Sequence, residues 1–154
     1  MRETKRTFAR NTLRDQLLPI LIGEVFHVTT PEAYQAIQRT GVVRHNRDGA
    51  LPFASPQSAT SWGRDQGYVC LFDLRALPDG ELEWVLRKYF FLDPFDSEQG
   101  PVYLFLRPEA FVSLIPWTEA PPARMVIPHA ECWYPGDLSI SSLREALAVS
   151  IREA

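Results

Sequence analysis

Glu24-Val25-Phe26-His27-Val28-Thr29-Thr30-Pro31-Glu32 is the stretch on which the fold turns. Its β-branched and aromatic residues suit a pleated, half-buried surface, so Val25–Val28 is expected to be a strand. Thr30 then offers a capping oxygen, Pro31 a preset backbone angle at the first helical position, and Glu32 an acid in the first turn. Ala33, Tyr34 and Ile37 face inward along that helix, and Gly41 ends it. A strand that hands straight over to a capped helix points away from a helix bundle.

Working outward, Leu51–Ala54 is expected to be a second short strand. Ser55-Pro56 repeats the cap-then-proline device, which predicts a short helix over Pro56–Trp62. Tyr68–Leu74 is the strongest strand pattern. Upstream, the chain to about Ile22 reads as a helix with Leu13, Leu17, Leu18 and Leu21 on one face, kinked or shortened by Pro19. Downstream, Asp79-Gly80 is a turn, Glu81–Leu92 fits helix and strand equally, Val102–Leu106 is extended, and Pro108–Val112 is a helical turn. Leu114–Trp117 is extended, Ala130–Tyr134 is a strand stopped by Pro135-Gly136, and Ser139–Glu153 is a helix carrying Ile140, Leu143, Leu147 and Ile151. The expectation is one α+β domain over 1–154 with mostly antiparallel strands: an N-terminal helical arm (1–22), a core (23–138) and a C-terminal helix (139–154).

Composition is that of an ordinary soluble globular chain, 154 residues with 45% hydrophobic and 23% charged. Thirteen prolines against eight glycines favour short elements and rigid turns. No run approaches the ~20 apolar residues that span a bilayer. Leu17–Ile22 contains Pro19 and lacks a small-residue cleavage site, so no signal peptide is expected and the cytoplasm is the default compartment. Cys70 and Cys132 share no metal-like spacing and read as free thiols. Residues 1–75 hold ten Lys and Arg against seven Asp and Glu, whereas 76–154 hold six against twelve. Arg2, Lys5, Arg6, Arg10 and Arg14 make the N-terminal arm locally cationic, a charge suited to phosphates, although a solvated helix face explains it more simply.

Candidate chemistry rests on few residues. His27 points opposite to Phe26 and Val28; if those two face the core, the imidazole faces a cleft, and Thr29 shares its side. An imidazole satisfied by a neighbouring carbonyl is the plainer reading of His27 alone. Ser55, Ser58, Thr60 and Ser61 form a hydroxyl cluster ending in Trp62, much of it explained by caps and turns. No Gly-x-Ser-x-Gly elbow surrounds these serines. Glu131 lies in an apolar and aromatic setting between Ile127 and Pro135, where acids are uncommon unless paired or used; a solvent-facing edge-strand glutamate is the alternative. His129 has the same parity as Glu131 and is expected to share its face. P-loop, dinucleotide-fingerprint, His-Glu-x-x-His, EF-hand and paired-cysteine motifs are all absent, so no metal is expected.

Taken in order, His27-Val28-Thr29, Gly41, Leu51-Pro52-Phe53-Ala54-Ser55 with Ser58 and Thr60, Tyr68-Val69-Cys70-Leu71-Phe72 and Glu131 resemble the ADP-ribosyltransferase superfamily. The nearest branch is that of poly-ADP-ribose polymerases, toxin-type DNA ADP-ribosyltransferases and RNA 2′-phosphotransferases. The resemblance implies a split, mostly antiparallel sheet with short flanking helices around an NAD⁺ cleft. It implies that His27, with Thr29 nearby, binds the adenosine-side ribose. Ser55 or Ser58 would contact nicotinamide, stacked on Phe53 or Trp62. Glu131 would hold the nicotinamide ribose and stabilise the oxocarbenium ion. Two departures stand out: Pro52 replaces the tyrosine often found before Phe-Ala, and His129 stands two residues before Glu131, which argues against arginine as acceptor. The implied function is NAD-dependent ADP-ribosyl transfer to a protein or nucleic acid, in a toxin, effector or defence component. The alternatives are a non-catalytic interaction module of the same fold and an RNA 2′-phosphotransferase.

Overall fold

The computed structural model describes residues 1–47, 62–88, 99–122 and 126–153. In chain order the elements are β1 (Arg2–Ala9), α1 (Leu13–Leu21), β2 (Val25–Thr29), α2 (Pro31–Thr40), β3 (Val42–Val43), α3 (Trp62–Asp65), β4 (Tyr68–Asp73), α4 (Glu81–Lys88), β5 (Gln99–Leu106), β6 (Ile115–Pro116), β7 (Glu131–Pro135), β8 (Leu138–Ser139) and β9 (Leu143–Arg152). Seven strands form one sheet in the order β1-β9-β5-β2-β4-β7-β6, and β3 pairs with β8 separately. Among the described residues the β1–β9 ladder is parallel and the other ladders are antiparallel. The chain is therefore a mixed, strand-rich domain with a mainly antiparallel sheet and few short helices. Among the described residues no helix is long and apolar enough to cross a membrane.

The opening motif folds as its residues dictate. Thr30 accepts a hydrogen bond from the Ala33 N–H (3.1 Å), Pro31 begins α2, and Gly41 ends it in the left-handed region at φ 78°. Ile37 is the buried residue of that helix.

Both termini depart from expectation. Residues 2–9 are not part of a helical arm but a strand, and the helix begins only at Leu13, with Leu13, Leu17 and Leu21 buried. The segment expected as a C-terminal helix is β9, a strand enclosed between β1 and β5. Leu147, Val149 and Ile151 fit period two as well as Ile140, Leu143, Leu147 and Ile151 fit period 3.6. The small Ala146 occupies the other face and is also buried. Where both faces are covered, from Glu145 to Leu147, the polar alternation fades, and it survives only toward the exposed Ser150 and Arg152.

Two cores sandwich the sheet. One packs α1 with Phe26, Tyr103, Phe105, Leu147 and Val149; the other packs Ile37 of α2 with Val25, Leu71, Leu104 and Cys132. We refer to these as the α1 face and the α2 face.

Candidate functional site

His27 and Glu131 stand on opposite faces of the main sheet. Residues directly opposite each other on neighbouring strands share a face. Phe26 pairs with Phe72, and Phe72 in turn with Glu131. The rings of Phe26 and Phe72 touch at 5.6 Å, and both belong to the α1 core. Glu131 therefore lies on the α1 face. His27 alternates with Phe26 and pairs with Leu104 of the α2 core, so its imidazole lies on the α2 face. Thr29, opposite Val102, is buried on that same side.

The placement of His27 has a local cause. The β2–β4 ladder holds for only two rungs, Val25 with Asp73 and Phe26 with Phe72, while β2 stays paired with β5 through Thr29. Where the ladder stops, His27 Nδ1–H donates to the carbonyl of Cys70 at 2.8 Å. A carbonyl only accepts, so Nδ1 carries the proton. Burial pushes the pKa of His27 below its ordinary 6.5, and the bond to Cys70 partly opposes that.

Glu131 is engaged locally as well. Its Oε2 accepts the Ile127 N–H at 3.0 Å, closing the turn that leads into β7. The parity expected between His129 and Glu131 does not apply, because the strand begins only at Glu131. His129 sits in the turn at φ 67° and packs its ring 4.9 Å from Trp117. Cys132, next in the strand, is buried on the α2 face, and burial raises its thiol pKa well above the ordinary value.

Trp62 opens α3, with its ring centroid 4.9 Å from Trp133 and 5.9 Å from Tyr68. Trp133 and Tyr68 have the parity of Glu131 and Phe72, so this aromatic group and Glu131 share the α1 side of the sheet. Gly63 lets the contact form: a Cβ there would lie 2.1 Å from the Trp133 ring. Phe53, Ser55 and Ser58, with the strand and most of the helix expected around them, lie outside the described residues.

Sequence reading missed the cleft that Trp62 borders. Trp62, Tyr68, Leu114, Ile115, Pro116 and Glu119 line a hollow of about 490 Å³ beside β6. The parity of Tyr68 with Trp133 across β4 and β7 was the available signal, but it needs the register to be known. A second hollow of about 250 Å³ holds Arg2, Arg6, Arg144, Glu24 and Glu145 over Phe105. Its charges are mostly internal: Arg2 meets Glu145 at 2.5 Å and Arg144 meets Glu24 at 2.9 Å. Among the described residues no group of three His, Cys, Asp or Glu side chains is placed to hold a metal ion.

No family model, curated protein or solved structure matches the chain.

Proposed function

We propose that this chain is an ADP-ribosyltransferase-like domain that works by binding a partner and does not transfer ADP-ribose from NAD⁺. The observation behind this reading is that His27 and Glu131 stand on opposite faces of the sheet. The resemblance assigns them to the two riboses of one dinucleotide. A carboxylate accelerates glycosidic cleavage only when it lies beside the developing charge, and here the sheet backbone separates it from the imidazole. Each group also serves nearby backbone, His27 at Cys70 and Glu131 at Ile127. The likeness to the superfamily is supported by the histidine strand that leads into a capped helix, by the parting of β2 from β4 after Phe26, and by the late strand that begins with Glu131.

A protein partner would need an accessible aromatic anchor: Trp133 is fully buried and Trp117 packs on His129, whereas Trp62 is half-buried and borders an open cleft. Calorimetric titration with NAD⁺, paired with an assay of nicotinamide release, tests the reading. It predicts no release above the buffer rate. Release that is abolished in Glu131→Gln overturns it.

One arrangement favours a second reading, in which Glu131 supports NAD-dependent transfer to a protein or nucleic acid without His27. Glu131, Trp133 and Trp62 share one side of the sheet, and Phe53, Ser55 and Ser58 lie within ten residues before Trp62 in sequence. In that case Glu131→Gln abolishes release and His27→Asn leaves it intact. An RNA 2′-phosphotransferase needs cations beside His27. The Arg64 guanidinium gives hydrogen bonds to the Asn46 and Arg47 carbonyls and to Asp65 instead.

A further inference from the structure

We infer that the cleft beside β6 is a receptor for an alkylammonium group, such as the methylated amine of a lysine side chain on a partner protein. This deepens the binding reading by naming the chemistry of the ligand. Trp62 and Tyr68 supply two rings inclined at 74° to each other, with centroids 5.9 Å apart. Both rings line the same hollow, together with Leu114, Ile115, Pro116 and Glu119. Aromatic faces carry negative potential and attract a cation within about 6 Å.

Among the described residues of the lining, Glu119 is the one that carries charge, and it is exposed. The wall therefore joins two π systems, three apolar side chains and one carboxylate. An anion would be repelled by Glu119 and would find only the neutral Trp62 N–H and Tyr68 hydroxyl as donors, with no cation in the described lining. A neutral apolar group would leave the carboxylate unused. A cation wearing an apolar shell satisfies every part of the wall at once. The hollow of about 490 Å³ also admits such a group, being within the range of roughly 300–1,000 Å³ common for small-ligand sites.

The Trp62 ring also packs on Trp133, at 4.9 Å between centroids, which limits its freedom before a ligand arrives. The close approach at Gly63 brings the start of α3 onto Trp133, and Tyr68 stands in β4 opposite Pro135. A preformed pocket loses little conformational freedom when it is filled.

The test follows intrinsic tryptophan fluorescence during titration with choline, and separately with 3,3-dimethyl-1-butanol, its uncharged carbon counterpart. Choline is expected to saturate the signal at a concentration on the order of ten-fold lower than the alcohol, in keeping with the strength of cation–π contacts. Glu119→Gln, an exposed change that leaves the fold alone, is expected to weaken choline several-fold and the alcohol not at all. Trp62→Leu is expected to remove the choline response, with circular dichroism confirming that the variant is folded. Equal affinity for the two probes, no saturation by choline, or choline binding indifferent to Glu119→Gln each overturns the proposal. None of these outcomes depends on NAD⁺, so the result stands apart from the question of catalysis.

Discussion

Phe72 lies directly opposite Glu131 and packs its ring on Phe26, while His27, one residue along from Phe26, turns its imidazole to the other side of the sheet. The nearest neighbours of the two groups differ in consequence. The carboxylate lies on the side of an aromatic cluster, and the imidazole lies on the side of Leu104, Leu71 and Cys132. A ligand that touched both would have to reach around the sheet or pass through it.

His27 makes the fold sensitive to mild acid. Its folded-state pKa is depressed below 6.5 by burial. The unfolded chain therefore takes the proton first as pH falls, so the stabilisation is complete above about pH 6.5 and drains away below it. Urea midpoints at pH 7.5 and pH 5.5 should show a drop for wild type that shrinks in His27→Asn, whose amide can still donate to Cys70. An unchanged drop in the variant would remove His27 from the account.

Glu131 is expected to act as a turn closer. Glu131→Ala leaves the Ile127 N–H without its acceptor and should cost about 1–2 kcal/mol, in line with the loss of a capping oxygen. Glu131→Gln keeps an acceptor and should cost less than half of that. Chemical denaturation measures both, and equal losses would mean that charge, not the hydrogen bond, matters there.

Strand and helix signals were readable wherever a local device carried them. Thr30, Pro31 and Gly41 bracket α2 by their own chemistry, and Tyr68–Asp73 alternates as a strand should. The termini were misread because their structure is set by distant partners. Residues 2–7 are all polar, with Phe8 and Ala9 after them, and the segment is strand because β9 offers a parallel ladder from Glu145 to Arg152. β9 keeps alternation only at its end, where Ser150 and Arg152 are exposed; toward its start Glu145, Ala146 and Leu147 are buried in succession, and the apolar residues also fit a helical stripe. The candidate site failed for a related reason. Parity within β2 and within β7 was legible from each strand alone, but whether two strands present their marked residues to the same side depends on register through β4, which no local pattern encodes.

Gly63 should be intolerant of substitution. An alanine Cβ would fall 2.1 Å from the buried Trp133 ring, which forces α3 or the indole to move. Overpacking of this kind costs about 1–3 kcal/mol, and Gly63→Ala should also change the near-ultraviolet dichroism of the Trp62–Trp133 pair. A variant with wild-type stability and spectrum would show that α3 does not sit as described.

The arginine–glutamate group joining β1, β9 and the end of α1 should respond unequally to its two outer arginines. A register shift between Phe105 and Leu106 accompanies Arg144, which reaches Glu24 at 2.9 Å and Glu145 at 3.8 Å and lies over Phe105 at 5.4 Å. Arg2 is mostly exposed, and its loss still leaves Glu145 near Arg144. Arg2→Ala should therefore cost under about 1 kcal/mol, as exposed pairs do. Arg144→Ala should cost about 1–2 kcal/mol, since it removes two ion-pair contacts and a ring contact together. Thermal denaturation at low and high salt distinguishes them, and a reversed order would mean that the bulge does not anchor this corner.

The most direct test of the separation between His27 and Glu131 is the initial rate of nicotinamide release from NAD⁺ by wild type, His27→Asn, Glu131→Gln and the double variant, each confirmed folded. All four rates are expected to be indistinguishable from buffer. A wild-type rate that falls about 100-fold or more in each single variant, and no further in the double, would contradict it by showing that the two residues work in one site.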